Sequence, residues 1–191
     1  QSTVSSPETE RITAGSHSSE KLTPDFRIAI DFGTTFTSIV CAKRKETEEC
    51  IFNITEFPED PKPDSADTQV PTEILYRQKK DSGKYSQQAL QKILYGYELR
   101  TPRDLPSYAD GYEDIGHVVN VKLLLDKSTH LRHLRNSLFG TLKLLRAEKA
   151  ITKNEDVIRD LLLCYLQHAK SILQRDHGLN ENSKGRFEWF A

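Results

Sequence analysis

The run Arg27-Ile28-Ala29-Ile30-Asp31-Phe32-Gly33-Thr34-Thr35-Phe36-Thr37-Ser38-Ile39-Val40 constrains this chain more than any other stretch. Two β-type runs meet head to tail with only a short Gly-Thr-Thr turn between them, so they predict an antiparallel hairpin. Glycine permits the tight turn and lets a ligand approach the backbone closely. The peptide N–H groups of such a turn, with two threonine hydroxyls, can form a concave anion site. Asp31 ends the first strand with no basic neighbour inside the turn, so its carboxylate is free for a divalent cation, directly or through water. Magnesium keeps several waters and needs few protein ligands. The pattern points to a hairpin that grips the phosphates of a magnesium nucleotide, with a plain structural turn as the competing reading.

The composition narrows the class. A net charge of −1 argues against a general nucleic-acid binder, which shows a basic excess or stripe. The basic residues of Lys143–Lys149 are interleaved with leucines and read as the wet face of a helix. No run approaches the roughly eighteen apolar residues of a membrane span. Cys41, Cys50 and Cys164 lie in apolar or strand-like settings without paired spacing. They read as reduced, buried thiols of a cytoplasmic or nuclear protein. His130 and His133 stand three apart on one predicted helix face, but zinc needs three or four protein ligands and no others stand at ligand spacing. The chain opens on Gln1 and contains no methionine, and Arg186–Phe190 starts like a strand just before Ala191; the expectation is a piece of a longer protein.

Along the chain, residues 1–24, rich in Ser, Thr and Glu, are predicted to be a disordered tail. Strands are predicted up to Asp31, over Phe36–Ala42, Cys50–Phe57, Thr72–Tyr76 and Ile93–Tyr97. Loops are predicted at Lys43–Glu49, Pro58–Pro71 and Thr101–Gly116, with a polar turn at Gln78–Lys84. Leu131, Leu134, Leu138, Leu142 and Leu145 recur at helical steps. A last helix reads most clearly: Thr152 with Glu155 as a capping box, Asp156 in the first turn, and Arg175 and His177 before Gly178. Strands followed by two helices, then a further strand, fit an α/β lobe with a mixed sheet.

Asp31-x-Gly33-Thr34-Thr35, followed by Phe36 and Ser38, resembles the first phosphate loop of the 70-kDa heat-shock proteins, members of the actin-like ATPase superfamily. Further segments, in the family's order, resemble the divergent heat-shock-like proteins of filamentous fungi: Val70-Pro71-Thr72-Glu73-Ile74-Leu75-Tyr76, Lys122-Leu123-Leu124-Leu125-Asp126, and Glu155 to Leu162. Asp31-Phe32-Gly33 also spells the magnesium tripeptide of protein kinases, but none of the kinase elements that precede that tripeptide occur in the first thirty residues.

The resemblance implies an incomplete ribonuclease H-like lobe over residues 25–191, forming part of a nucleotide-binding domain. It implies ATP or ADP as ligand, with Mg2+ held through water by Asp31. Gly33, Thr34, Thr35 and Phe36 would grip the phosphates, and Lys122 would act on the transferred phosphate. Client or partner proteins would belong to the longer parent. The family's second loop, Asp-x-Gly-Gly-Gly, is not found in the sequence. The chain by itself is therefore expected to bind nucleotide weakly and to hydrolyse almost none, since phosphoryl transfer depends on aligning all its parts. The alternative, in another class, is a nucleotide-independent interaction module that keeps the lobe as scaffold.

Overall fold

Alternation in the first strand decides much of the architecture. Phe26, Ile28 and Ile30 are buried, whereas Arg27, Ala29 and Asp31 are exposed. A slip of one residue would bury the two charges and expose the three apolar side chains. Burying each of those contributes about 1.5–3 kcal/mol, so the register is strongly specified. In a computed structural model, the residues described are 26–44, 49–62, 68–79, 92–100 and 111–179, with the backbone of 187–190. The predicted 1–24 tail and most of the predicted 101–116 loop lie outside them.

The fold is mixed α/β, and the described residues form two sheets and two α-helices. In the first sheet β1 (Phe26–Phe32) pairs antiparallel with β2 (Phe36–Arg44), which pairs antiparallel with β3 (Glu49–Asn53). The short β4 (Gln69–Pro71) joins the start of β2. The second sheet is antiparallel, with β5 (Glu73–Lys79) between β6 (Lys92–Tyr95) and β7 (Tyr112–Val119). α1 (Arg132–Ala147) packs on β7, and α2 (Asp156–Asp176) lends Leu161, Tyr165, Ala169, Ile172 and Leu173 to the core. The last strand, β8 (Phe187–Phe190), lies parallel to β1, which makes the first sheet mixed. Among the described residues no helix is long and apolar enough to cross a membrane.

Several expectations need correction. The described residues form two sheets rather than one, because the predicted strand Thr72–Tyr76 is the meeting of two strands: β4 ends at Pro71 and β5 begins at Glu73. β7, which begins at Tyr112, overlaps in its first part the predicted loop ending at Gly116. Its exposed side is charged, and a bulge opposite Tyr76/Arg77 puts the buried Ile115 and Val118 three apart, which breaks the period-two signature. The third strand stops at Asn53, not Phe57, and Glu56, with a left-handed φ of 58°, breaks the extended run beyond it. The strand over Ile93–Tyr97 gives way at Gly96 to a 3-10 turn, Gly96–Leu99.

Thr152 and Glu155 form no capping box at α2. The Asp156 carboxylate instead accepts the N–H groups of Thr152 and Lys153 at 2.8 and 2.9 Å, and these bonds hold its pKa below the usual carboxylate range. The other end stops as read: Gly178 is left-handed (φ 71°), and the Leu179 N–H returns to the Leu173 carbonyl. Cys50 is exposed, whereas Cys41 is buried and Cys164 half-buried.

Candidate functional site

The β1–β2 hairpin closes on Gly33-Thr34-Thr35, with Asp31 opposite Ser38 and Phe32 opposite Thr37. Gly33 is required by a close approach: a methyl group there would lie 2.0 Å from the Phe36 carbonyl oxygen. Among the described residues the N–H groups of Gly33, Thr34 and Thr35 donate no hydrogen bond, and Thr34 and Thr35 are exposed. Three consecutive free amides at a solvent-facing turn are the donors an anion needs.

The alternation of β1 sets Asp31 on the outward face of the first sheet. It takes part in no ion pair or hydrogen bond among the described residues. Its cross-strand neighbour Ser38 faces Gln69 of β4 in turn, so a row of three polar residues crosses the sheet beside the turn. A free carboxylate among oxygen-bearing neighbours fits a magnesium ion that keeps its water shell. The described residues gather no group of three or more His, Cys, Asp or Glu that could hold a metal through protein ligands.

Beneath the turn the polar groups are fully engaged. The Thr35 carbonyl accepts the Thr72 N–H at 2.8 Å. The hydroxyls of Thr37 and Thr72 share a buried hydrogen bond of 2.8 Å, and the Tyr165 hydroxyl donates to the Pro71 carbonyl at 3.0 Å. The pKa of Tyr165 is raised, chiefly by burial. The groups that anchor the turn are thus paired, while its own amides have no protein acceptor among the described residues.

Lys122 sits in a 3-10 turn, Val121–Leu124, between buried Val121 and Leu123, and is itself exposed. The apolar run around it thus signals a turn that buries its neighbours, and Lys122 is no buried cation. Its place follows from the registers. Val119, at the end of β7, pairs with Glu73, next to the Thr72 that bonds the turn through Thr35. Lys122 leaves β7 at that end, and its ammonium has no partner among the described residues.

Three residues beside the site carry no sequence signal. The Arg100 guanidinium lies over the Phe36 ring, 5.6 Å from its centroid, and donates to Glu73 at 3.0 Å. His117 pairs with the other Glu73 oxygen at 3.0 Å. The His117 hydrogen bond and the Arg100 charge hold the Glu73 carboxyl below its usual pKa. These residues come from three separated segments, and only tertiary pairing brings them to Phe36. Elsewhere, His133 Nδ1 faces the His130 carbonyl at 3.1 Å.

Comparison with protein-family models, curated proteins and solved structures finds no match to this chain.

Proposed function

We propose that the Gly33–Phe36 turn is the phosphate grip of a magnesium–ATP site in an actin-like ATPase domain of the 70-kDa heat-shock type. The observation that carries this reading is the set of free amides at Gly33, Thr34 and Thr35 beside the free, exposed carboxylate of Asp31. The mixed first sheet, with β8 parallel to β1, supports the lobe the reading requires. In this role the turn amides and the threonine hydroxyls bind phosphate oxygens. Magnesium, when bound, neutralises phosphate charge, and Asp31 orients its water shell. Lys122, leaving β7 at the turn's end, supplies a cation for the terminal phosphate. Phe36, under Arg100, fixes the turn's exit.

Titration of the 191-residue chain with a fluorescent ATP analogue tests the reading. Magnesium-dependent binding is expected, weak but saturable, and lost in Asp31→Ala and weakened in Thr35→Ala. Binding unchanged in Asp31→Ala, or no binding by the native chain at millimolar nucleotide, refutes it and leaves the scaffold reading.

A further inference from the structure

The outward face of α1 carries cations at both ends. Arg132, Asn136, Phe139, Lys143 and Arg146 follow one another in steps of four, three, four and three, which places them on one side of a helix. All five are exposed, whereas Leu138, Leu142 and Leu145 on the flank beside them are buried. Arg132–Ala147 contains no Asp or Glu. Arg135 pairs with Asp126, but Arg132, Lys143 and Arg146 have no ion-pair partner among the described residues. Phe139 lies in the middle of this stripe and is 44% exposed.

Lys143 and Arg146 suit the helix's C-terminal end, but the cation that opens this face runs against the helix's own stability. Cations near a helix C-terminus complement the macrodipole, but at the N-terminus they oppose it. Arg132 opens the helix, and its first turn holds no acidic residue. Such a placement is explained by a partner rather than by folding. An aromatic anchor flanked by charges is the common build of a binding hot spot.

We infer that this face of α1 binds an acidic protein segment, with Phe139 as its apolar anchor and Arg132, Lys143 and Arg146 as its charge partners. From Arg132 to Arg146 the stripe runs about 21 Å at 1.5 Å per residue, the reach of a short peptide. Two other anionic partners fit less well. A nucleic acid draws on long-range charge, and this chain's net charge of −1 supplies none. A membrane needs a broad apolar face, and within the stripe Phe139 is the single apolar side chain, the exposed Leu134 and Leu144 lying off it.

The test uses the full chain and a labelled peptide of glutamates around two central leucines, read by fluorescence anisotropy at low ionic strength. The native chain is expected to bind it, with affinity falling as salt screens the pairs. A peptide with glutamine for glutamate should not bind. Lys143→Glu/Arg146→Glu and Phe139→Ser should each weaken binding roughly tenfold or more, with unchanged circular dichroism because the positions are exposed. Arg132→Glu should weaken binding and raise Tm, the opposite of what a structural role for Arg132 requires. Equal binding by the charge-reversed or Phe139→Ser chain overturns the inference. So does tighter binding of single-stranded oligothymidylate, or of phosphatidylserine vesicles, than of the acidic peptide.

Discussion

Replacing Gly33 with alanine tests the geometry of the turn most sharply. The added carbon would stand 2.0 Å from the Phe36 carbonyl oxygen and 3.2 Å from its carbon. Carbon–oxygen contacts normally begin near 3.3 Å, so the two must separate by roughly 1.3 Å. Both atoms are backbone, and Phe36 is fixed by pairing to Pro71, so no side chain can rotate to make room. Forcing such a clash costs about 1–3 kcal/mol. If the turn opens, the bond from Thr72 to Thr35 goes too, for about 1 kcal/mol more. A loss of about 2–4 kcal/mol lowers Tm by roughly 4–16 °C in a chain of this size. Gly140 provides the control. It sits inside α1 with nothing within 4 Å of an added carbon, so Gly140→Ala should stabilise by about 0.5–1 kcal/mol. Thermal melts of both variants give opposite signs if the turn is built as described. A Gly33→Ala chain that melts within about 1 °C of the native one refutes the close approach.

Three further outcomes are expected. Tyr165→Phe removes the only hydroxyl donated to the buried Pro71 carbonyl among the described residues and should cost about 1–2 kcal/mol in urea melts. A thiol reagent should label Cys50 at once in the native chain and reach Cys41 and Cys164 only slowly, because burial pushes both thiols up to about 12; equal rates would contradict the burial. His168 is packed on Phe57 with its Nε2 proton donated to the Thr55 carbonyl, and burial lowers its pKa. The unfolded chain then takes up the proton first, so stability held above about pH 6.5 should decline as pH falls below it, and His168→Gln should flatten that decline.

How much was legible in the sequence depended on whether a residue acts through its neighbours or through distant ones. The hairpin was visible because Asp31 to Phe36 fills a turn between two β runs, and the alternation of β1 then fixed which face Asp31 takes. The stop of α2 was visible because Gly178 answers a local backbone need. β7 was hidden because its exposed side is Glu113, Asp114 and His117, and because the bulge shifts its buried positions out of step. The division into two sheets was hidden because Thr72 has no local mark of its own. Arg100, Glu73 and His117 were missed for the same reason: pairing of β5 with both β6 and β7 brings Arg100 and His117 to Glu73, and Arg100 to Phe36. Capping at α2 was misassigned because Thr152, Glu155 and Asp156 all suit a helix start, and only geometry chooses among them.

Thr72 makes a welded joint of what the chain path alone would make a hinge. A single residue between strands of two sheets is where one would expect the sheets to swing. Yet its N–H is tied to the turn, its hydroxyl to β2, and the carbonyl just before it to α2. A push on the turn by anything that docks there cannot be absorbed at that residue. It is passed as strain to the root of β5 and to the middle of α2 together. The Thr72 amide should accordingly exchange its hydrogen only when the whole domain opens, making that one proton a gauge of global stability rather than of local play.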